Sequence, residues 1–276
     1  MKWGLVAKAG IPHVRKEAMW LCETLRKLGE EALLETDLAK AAGENPWTLD
    51  ELHNEVDFFM TIGGDGTILM TLQATDKPIF GVNAGAIGFL AEVEPPQAVH
   101  AIEQILAGKY RIEERDRLAC ILDGEVLPDA TNEVTMQTSR IAKLIHFRIE
   151  VDGEILDTLR GDGIIVSTAT GSTGYAMSVG GPLLHPRVPG TVLAPIAPFR
   201  LAARPWVVPA DSEIRMTLLE RDSAIGDEQA RVVIDGQHGF AMSAESEVMI
   251  RPSQRKARFV RLGSGFYERV RTKLVR

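Results

Sequence analysis

Two rhythms of apolar and polar positions divide the chain near residue 110. Before it, short apolar runs of strand type alternate with stretches of helical spacing. Residues 3–8 form the first such run. Val14, Ala18, Leu21, Cys22, Leu25 and Leu28 then fall on one helical face, so residues 13–28 read as a helix, with Gly29 at its end. Residues 31–35 read as a short strand. Residues 56–62, a β-branched and aromatic run closing in glycines, read as a strand buried on both faces. Residues 68–73 read as helix, 78–82 as strand and 95–106 as helix again. This alternation predicts a parallel sheet covered by helices.

After residue 110 the period shortens. Strand-type runs fall at 118–122, 141–151, 163–167, 191–196, 213–219, 231–234 and 247–251. Asp123-Gly124, Asp152-Gly153 and Asp235-Gly236 separate them as turn pairs. The pattern predicts an α/β domain over residues 1–110 and a β-rich second domain over 111–251. No internal repeat or low-complexity linker interrupts either.

Composition narrows the class. Of the 276 residues, 45% are hydrophobic and 25% charged, as in soluble globular proteins. The longest apolar runs fall far short of a membrane-spanning helix, and the N-terminus reads as a strand rather than a signal peptide. Cys22 and Cys120 form neither a CxxC pair nor a disulfide framework, which makes cytoplasm the expected location. A net charge of −7 argues against a general nucleic-acid binder. Residues 251–276 nevertheless hold nine basic residues against one acid, Glu268. A solvated helix face, or a seam with the acidic remainder, accounts for them.

The candidate chemistry begins at Gly63-Gly64-Asp65-Gly66-Thr67, where an apolar strand meets glycines and a helix. Glycines present bare N–H groups to an anion, and a helix N-terminus favours phosphate. An acid in such a loop suits a proton acceptor for an attacking hydroxyl, or a Mg²⁺ ligand. Asp65 suits the N-cap of the following helix equally well. Neither a GxxxxGK[ST] loop nor a GxGxxG element is present.

A second cluster spans residues 160–182. Thr170, Ser172, Thr173 and Ser178 could bond a sugar, a phosphate or a base edge, and Tyr175 could stack on a base. Asn132-Glu133 lies in a polar break between strands. It suits either a turn or the grip of ribose hydroxyls. His13, His53, His100, His146, His185 and His238 are scattered and form no zinc motif. His185 reads as a capping or surface residue, while His238 fits a turn or a ligand lining.

These motifs together resemble the NAD kinase family. GGDGT after an apolar strand, Asn83-Ala84-Gly85-Ala86-Ile87-Gly88-Phe89-Leu90, Thr131-Asn132-Glu133 and the run from Gly161-Asp162-Gly163 through Thr168 to Pro182 stand in the family's order. Arg204-Pro205-Trp206-Val207-Val208-Pro209 and Asp235-Gly236-Gln237 extend the likeness over nearly the whole chain. GGDGT alone also resembles the loops of diacylglycerol and sphingosine kinases and phosphofructokinases; the later motifs narrow it.

The resemblance implies an α/β phosphoryl-donor domain over 1–110, completed by a returning segment at 252–276, and a β-rich NAD-binding domain over 111–251. It implies phosphorylation of the adenosine ribose 2′-hydroxyl of NAD to give NADP, with ATP or polyphosphate as donor and Mg²⁺ as cofactor. Asp65 would be the general base, with Gly66 beside it, and Gly63, Gly64, Gly66 and Thr67 would form the donor loop. Asn132 and Glu133 would hold a nucleoside part of NAD. Lys143, Arg160, Asp162 and Gln237 would meet the substrate, Arg160 across a subunit interface. Thr170, Thr173, Gly174, Tyr175, Ala176, Met177 and Ser178 would form the adenosine loop. A homodimer or homotetramer is implied, with no nucleic-acid or membrane partner.

Met70, Ala84, Ala86, Gly174 and Phe199 depart from residues common in the family. Two rivals have their own signatures: a lipid kinase needs an apolar acceptor pocket, and a non-catalytic NAD(P)-binding regulator would have lost the loop acid.

Overall fold

The computed structural model describes residues 1–85, 88–219, 229–263 and 265–274. Ala86 and Ile87, and Ser264, Val275 and Arg276 of the basic tail, lie outside the described residues. The chain divides into two compact units, Met1–Glu114 with Ala257–Arg276, and Arg115–Lys256.

The first unit begins with β1 (Lys2–Ala7), α1 (Pro12–Lys27), β2 (Glu31–Leu34), α2 (Thr36–Ala42) and α3 (Leu49–Glu55). It continues through β3 (Phe58–Gly63), α4 (Asp65–Ala74), β4 (Ile79–Asn83), α5 (Pro95–Leu106) and β5 (Arg111–Arg115). Its sheet is completed from the far end of the chain, because the strand Ala257–Arg261 pairs in parallel with β4. In the sheet, β1 lies between β2 and β3, with parallel pairing on both sides. The chain therefore leaves β1 in one direction and returns on its other edge. In open α/β sheets, ligands bind beyond the carboxyl ends of the strands at such a reversal, and the glycine loop follows β3 at that edge.

Helices cover both faces of this sheet, as the alternation predicts. Leu21, Leu25, Ile102 and Ile105 pack on one face; Leu52, Ile68 and Leu72 pack on the other. Helix α4 starts at Asp65, three residues before the apolar pattern shows it, because the glycines conceal its first turn. Helices α2 and α3, seven residues each, carry too few turns for a helical period to stand out. The helix α3 is nonetheless well capped, with the Thr48 hydroxyl accepting the Glu51 N–H and the Glu51 carboxylate accepting the Thr48 N–H.

The second unit contributes β6 (Leu118–Leu122), β7 (Glu125–Val126), β8 (Glu133–Thr138), β9 (Ile145–Val151), β10 (Glu154–Gly161) and β11 (Gly163–Ser167). After a 3₁₀ turn at Gly171–Thr173 come α6 (Tyr175–Ser178), β12 (Gly190–Ile196), β13 (Trp206–Pro209), β14 (Ile214–Leu218) and β15 (Ala230–Ile234). Then follow β16 (His238–Met242) and β17 (Glu247–Pro252). They form two antiparallel sheets, ordered β10-β9-β14-β17-β6-β7 and β13-β12-β11-β8-β15-β16. Phe147, Ile149 and Met216 of one sheet and Val134, Met136, Ile164 and Val166 of the other share a single core. The outer face of the second sheet is covered too, by Ala176 against Ile165, Val192 and Ala194. The chain then enters β18 (Ala257–Arg261) and ends in α7 (Phe266–Leu274), both in the first unit.

Candidate active site

The glycine loop removes one of the uses open to Asp65. Gly64, not Asp65, is the N-cap of α4, and no side chain caps that end. The Asp65 carboxylate instead crosses to the segment after β4. Its Oδ2 accepts the Phe89 N–H at 2.7 Å and its Oδ1 the Leu90 N–H at 3.1 Å. Each oxygen keeps further acceptor capacity. A Cβ on Gly88 would collide with Asp65 Oδ1, so glycine is needed where this segment approaches the acid. Ala84 lies just before it, its carbonyl within 3.0 Å of His13 Nε2. Met70 is exposed on the outer side of α4.

Lys273 of α7 also reaches this segment, its Nζ 5.6 Å from the centre of the Phe89 ring. Burial pushes its ammonium below the usual lysine range, while the Asp65 charge pulls it back up.

In the second unit, Asp235 organises Asn132 and Glu133. Its carboxylate accepts the N–H groups of Thr131 at 2.9 Å, Asn132 at 2.7 Å and Glu133 at 3.1 Å. It can do so because Ile234, at the end of β15, pairs with Val134 near the start of β8, which sets the Asp235-Gly236 turn, left-handed at both residues, beside residues 131–133. Asp235 is missing from the residues that sequence reasoning singled out for the site. The Asp-Gly signal marked a turn and gave no hint of its partners.

The hydroxyl-rich run is used partly on itself. Thr168 Oγ1 donates to the Thr131 carbonyl at 2.7 Å, and Ser172 Oγ to the Ala169 carbonyl at 2.7 Å. Ser172 is fully buried, so its hydroxyl builds the loop and faces no ligand. Thr173 Oγ1 donates to the Thr170 carbonyl, and buried Arg115 donates to Thr170 Oγ1. The Ala176 methyl joins the buried cluster, which leaves only its backbone to a ligand. Tyr175 and Ser178 are exposed, and Met177 is half-buried.

Two acceptors stand out. Asn132 Oδ1 and Glu133 Oε2 are buried and meet no hydrogen-bond partner among the described residues. An unmet buried acceptor costs about 1–3 kcal/mol, which a ligand donor would offset. A Cβ on Gly174 would lie 3.3 Å from Glu133 Oε2 and 3.7 Å from Asn132 Nδ2, so the glycine leaves room beside both groups.

Burial, then the neighbouring Asp235, pushes the Glu133 carboxyl up to about 8, against the Tyr175 N–H bond that lowers it. The folded protein thus holds this proton more tightly than the unfolded chain. Stability must fall as pH rises from the ordinary glutamate range toward 8. Glu133→Gln removes that dependence. Its melting temperature, taken relative to that of the native chain at the same pH, should rise from pH 5 to pH 8. Thermal melts at both values check this, and an equal difference at each would count against a neutral Glu133.

The remaining predicted site residues divide into two groups. Gln237 lies in the Asp235 turn, its N–H bonded to the Ile234 carbonyl. Arg160 and Asp162 flank the other end of β11. Ser167 pairs with Glu133 while Gly163 pairs with Gln137, so four strand steps, ~14 Å, separate the two ends. Ile145 opposite Gly161 puts the turn carrying exposed Lys143 at the Arg160 end.

Residues 14–110 match the family model of the ATP-NAD kinase N-terminal domain, and residues 131–262 that of its C-terminal domain. The NAD kinase of Methanothermobacter thermautotrophicus is 40% identical over all of this chain and 96% of its own length. That of Thermococcus kodakarensis is 39% identical over 99% of each. Among solved structures, an Archaeoglobus fulgidus NAD kinase in complex with ATP is 31% identical, with a TM-score of 0.78 over 100% of this chain and 98% of that one. Yeast NADH kinase complexed with NADH shares the fold at a TM-score of 0.92 over 100% of this chain and 87% of that one, at 21% identity.

Proposed function

The chain belongs to the NAD kinase family and is a phosphotransferase, and from that premise we propose that it phosphorylates the adenosine ribose 2′-hydroxyl of NAD, with Asp65 as the base. The hydroxyl oxygen forms a bond to the terminal phosphorus of ATP, or of polyphosphate, as the bond to the leaving phosphate breaks. The hydroxyl proton passes to the Asp65 carboxylate. The carrying observation is that Asp65 is the acid of the glycine loop and does not cap its own helix. Two backbone N–H groups fix its direction, and fixed direction is what positioning catalysis requires.

Asn132 and Glu133 hold a nucleoside part of NAD through their unmet acceptors, and Tyr175 offers an exposed ring to a base. Protonated Glu133 adds an O–H donor to that surface. The ~14 Å along β11 supports Arg160, Asp162 and Lys143 serving a second copy of the chain, in a homodimer or homotetramer. Buried, unpaired Cys22 and Cys120 suit a reducing cytoplasm. Among the described residues no helix is long and apolar enough to cross a membrane.

Among the described residues no cluster of three or more His, Cys, Asp or Glu forms an all-protein metal cage. Mg²⁺ is commonly held by one or two carboxylates plus substrate phosphates, a set that Asp65 and the donor together supply. Bound there, it would offset charge on the transferring group.

The test is direct. Pure protein with ATP, Mg²⁺ and NAD should form NADP and ADP in equal amounts, and polyphosphate in place of ATP tests the donor. Tight NADP binding with no NADP formed from either donor would sink the reading.

A further inference from the structure

The segment that grips Asp65 is itself held by the end of the chain. Leu90 gives its N–H to Asp65, and its carbonyl accepts from Arg261 Nη1 of β18 at 2.9 Å. The same Nη1 lies 3.0 Å from Glu92 Oε2, and Arg261 Nε donates to Glu113 Oε2 at 2.7 Å. Glu92 Oε2 also takes Arg269 Nη1 of α7 at 3.3 Å, while Glu92 Oε1 accepts the N–H groups of Leu262 at 2.8 Å and Gly263 at 3.3 Å. The Arg261 and Glu92 side chains are 1% and 2% exposed and that of Arg269 8%. All these groups belong to one compact unit.

Ion pairs buried this deeply are poor stabilisers, because desolvation takes back much of the attraction, whereas their geometry is narrowly fixed. A guanidinium whose Nη1 bonds both a loop carbonyl and the carboxylate two residues further on holds that loop at two points, while its planar frame keeps Nη1 aimed at both. The loop carries the two N–H groups that aim Asp65.

We propose that Arg261, with Glu92 and Arg269, is a positioning cluster for phosphoryl transfer, setting the Phe89–Leu90 amides and through them the direction of the Asp65 carboxylate. This rests on Asp65 being the base. Arg261 touches no reacting atom, so its loss should appear in kcat and leave NAD binding alone.

The variant Arg261→Lys keeps the charge and loses the fork. It should lower kcat about ten-fold or more, with KM for NAD within about two-fold. Glu113→Gln removes the carboxylate charge facing the same guanidinium, keeps one acceptor oxygen and leaves the groups bonding Leu90 and Glu92 in place. It should lower the melting temperature while kcat stays within about two-fold. A folded Arg261→Lys with native kcat overturns the proposal, and so does Glu113→Gln lowering kcat as far as Arg261→Lys does. If Arg261→Lys fails to fold, Glu92→Gln is read by the same kcat and KM criteria. Failure of both to fold would assign the cluster to stability alone and overturn the proposal. The base reading fails separately, through Asp65→Asn with native kcat. An inactive Asp65→Asn beside a fully active Arg261→Lys sinks only the positioning role.

Discussion

Asp65→Asn lowers kcat by about 10²–10⁴-fold and leaves the Kd for NAD within a few-fold, the range expected when a positioned proton acceptor is lost. The amide keeps the size of the side chain and cannot take the hydroxyl proton. It also keeps only one acceptor oxygen for two donors, the Phe89 N–H at 2.7 Å and the Leu90 N–H at 3.1 Å. One of them must face an NH₂ group, at a stability cost of about 1–3 kcal/mol. A modest drop in melting temperature should therefore accompany the kinetic loss. Single-turnover assays with titration calorimetry for NAD separate the two effects. Native turnover would remove Asp65 from the chemistry, and a Kd raised in step with the loss of kcat would make it a binding group instead.

Gly171→Ala should have the second large effect, and of the opposite character. A Cβ at this position meets the Asn132 carbonyl oxygen, the Asn132 carbonyl carbon and Ser167 Oγ at once. The carbonyl cannot yield, because it already accepts the Thr168 N–H at 2.9 Å at the junction of β8 and β11. Relief requires moving the loop away from Asn132. We expect roughly 3 kcal/mol of lost stability, an overpacking cost at the upper end of the usual range. That corresponds to a fall in melting temperature of roughly 6–12 °C. Displacing Asn132 should also raise KM for NAD with little change in kcat. Scanning calorimetry and initial rates at 10 °C, below the transition, check both. Unchanged melting together with unchanged KM would show that this close packing does not set Asn132.

Much of the fold is legible along the chain where one face of an element is buried and the element is long. Helix α1 shows its buried Val14, Ala18, Leu21, Cys22 and Leu25 at helical spacing, and β3 its unbroken burial from Phe58 to Gly63. Strand β8 escapes this reading. It opens on Glu133, whose charge type signals a break, yet Val134, Thr135 and Met136 are all buried because both faces of its sheet are covered. Strand β10, an edge strand, has few buried positions and exposes Ile155, so no alternation marks it. Strand β5 follows the change of rhythm at residue 110 yet sits in the first sheet beside β18.

The sequence by itself determined the candidate groups and the family: the glycine loop with its acid, the Asn132-Glu133 pair, the hydroxyl-rich run and the motif order. These are local patterns, set by residue type and spacing within a strand, a turn or a loop. Only the tertiary structure decided what those groups touch. Asp65 answers to amides 24 and 25 residues away, Asn132 to a carboxylate 103 away, and Glu92 to Arg261 169 away. Sheet order brings these pairs together, with β18 returning beside β4 and β15 lying beside β8. Sheet order is a property of the whole packed chain, so no window of the sequence short enough to show a period contains it.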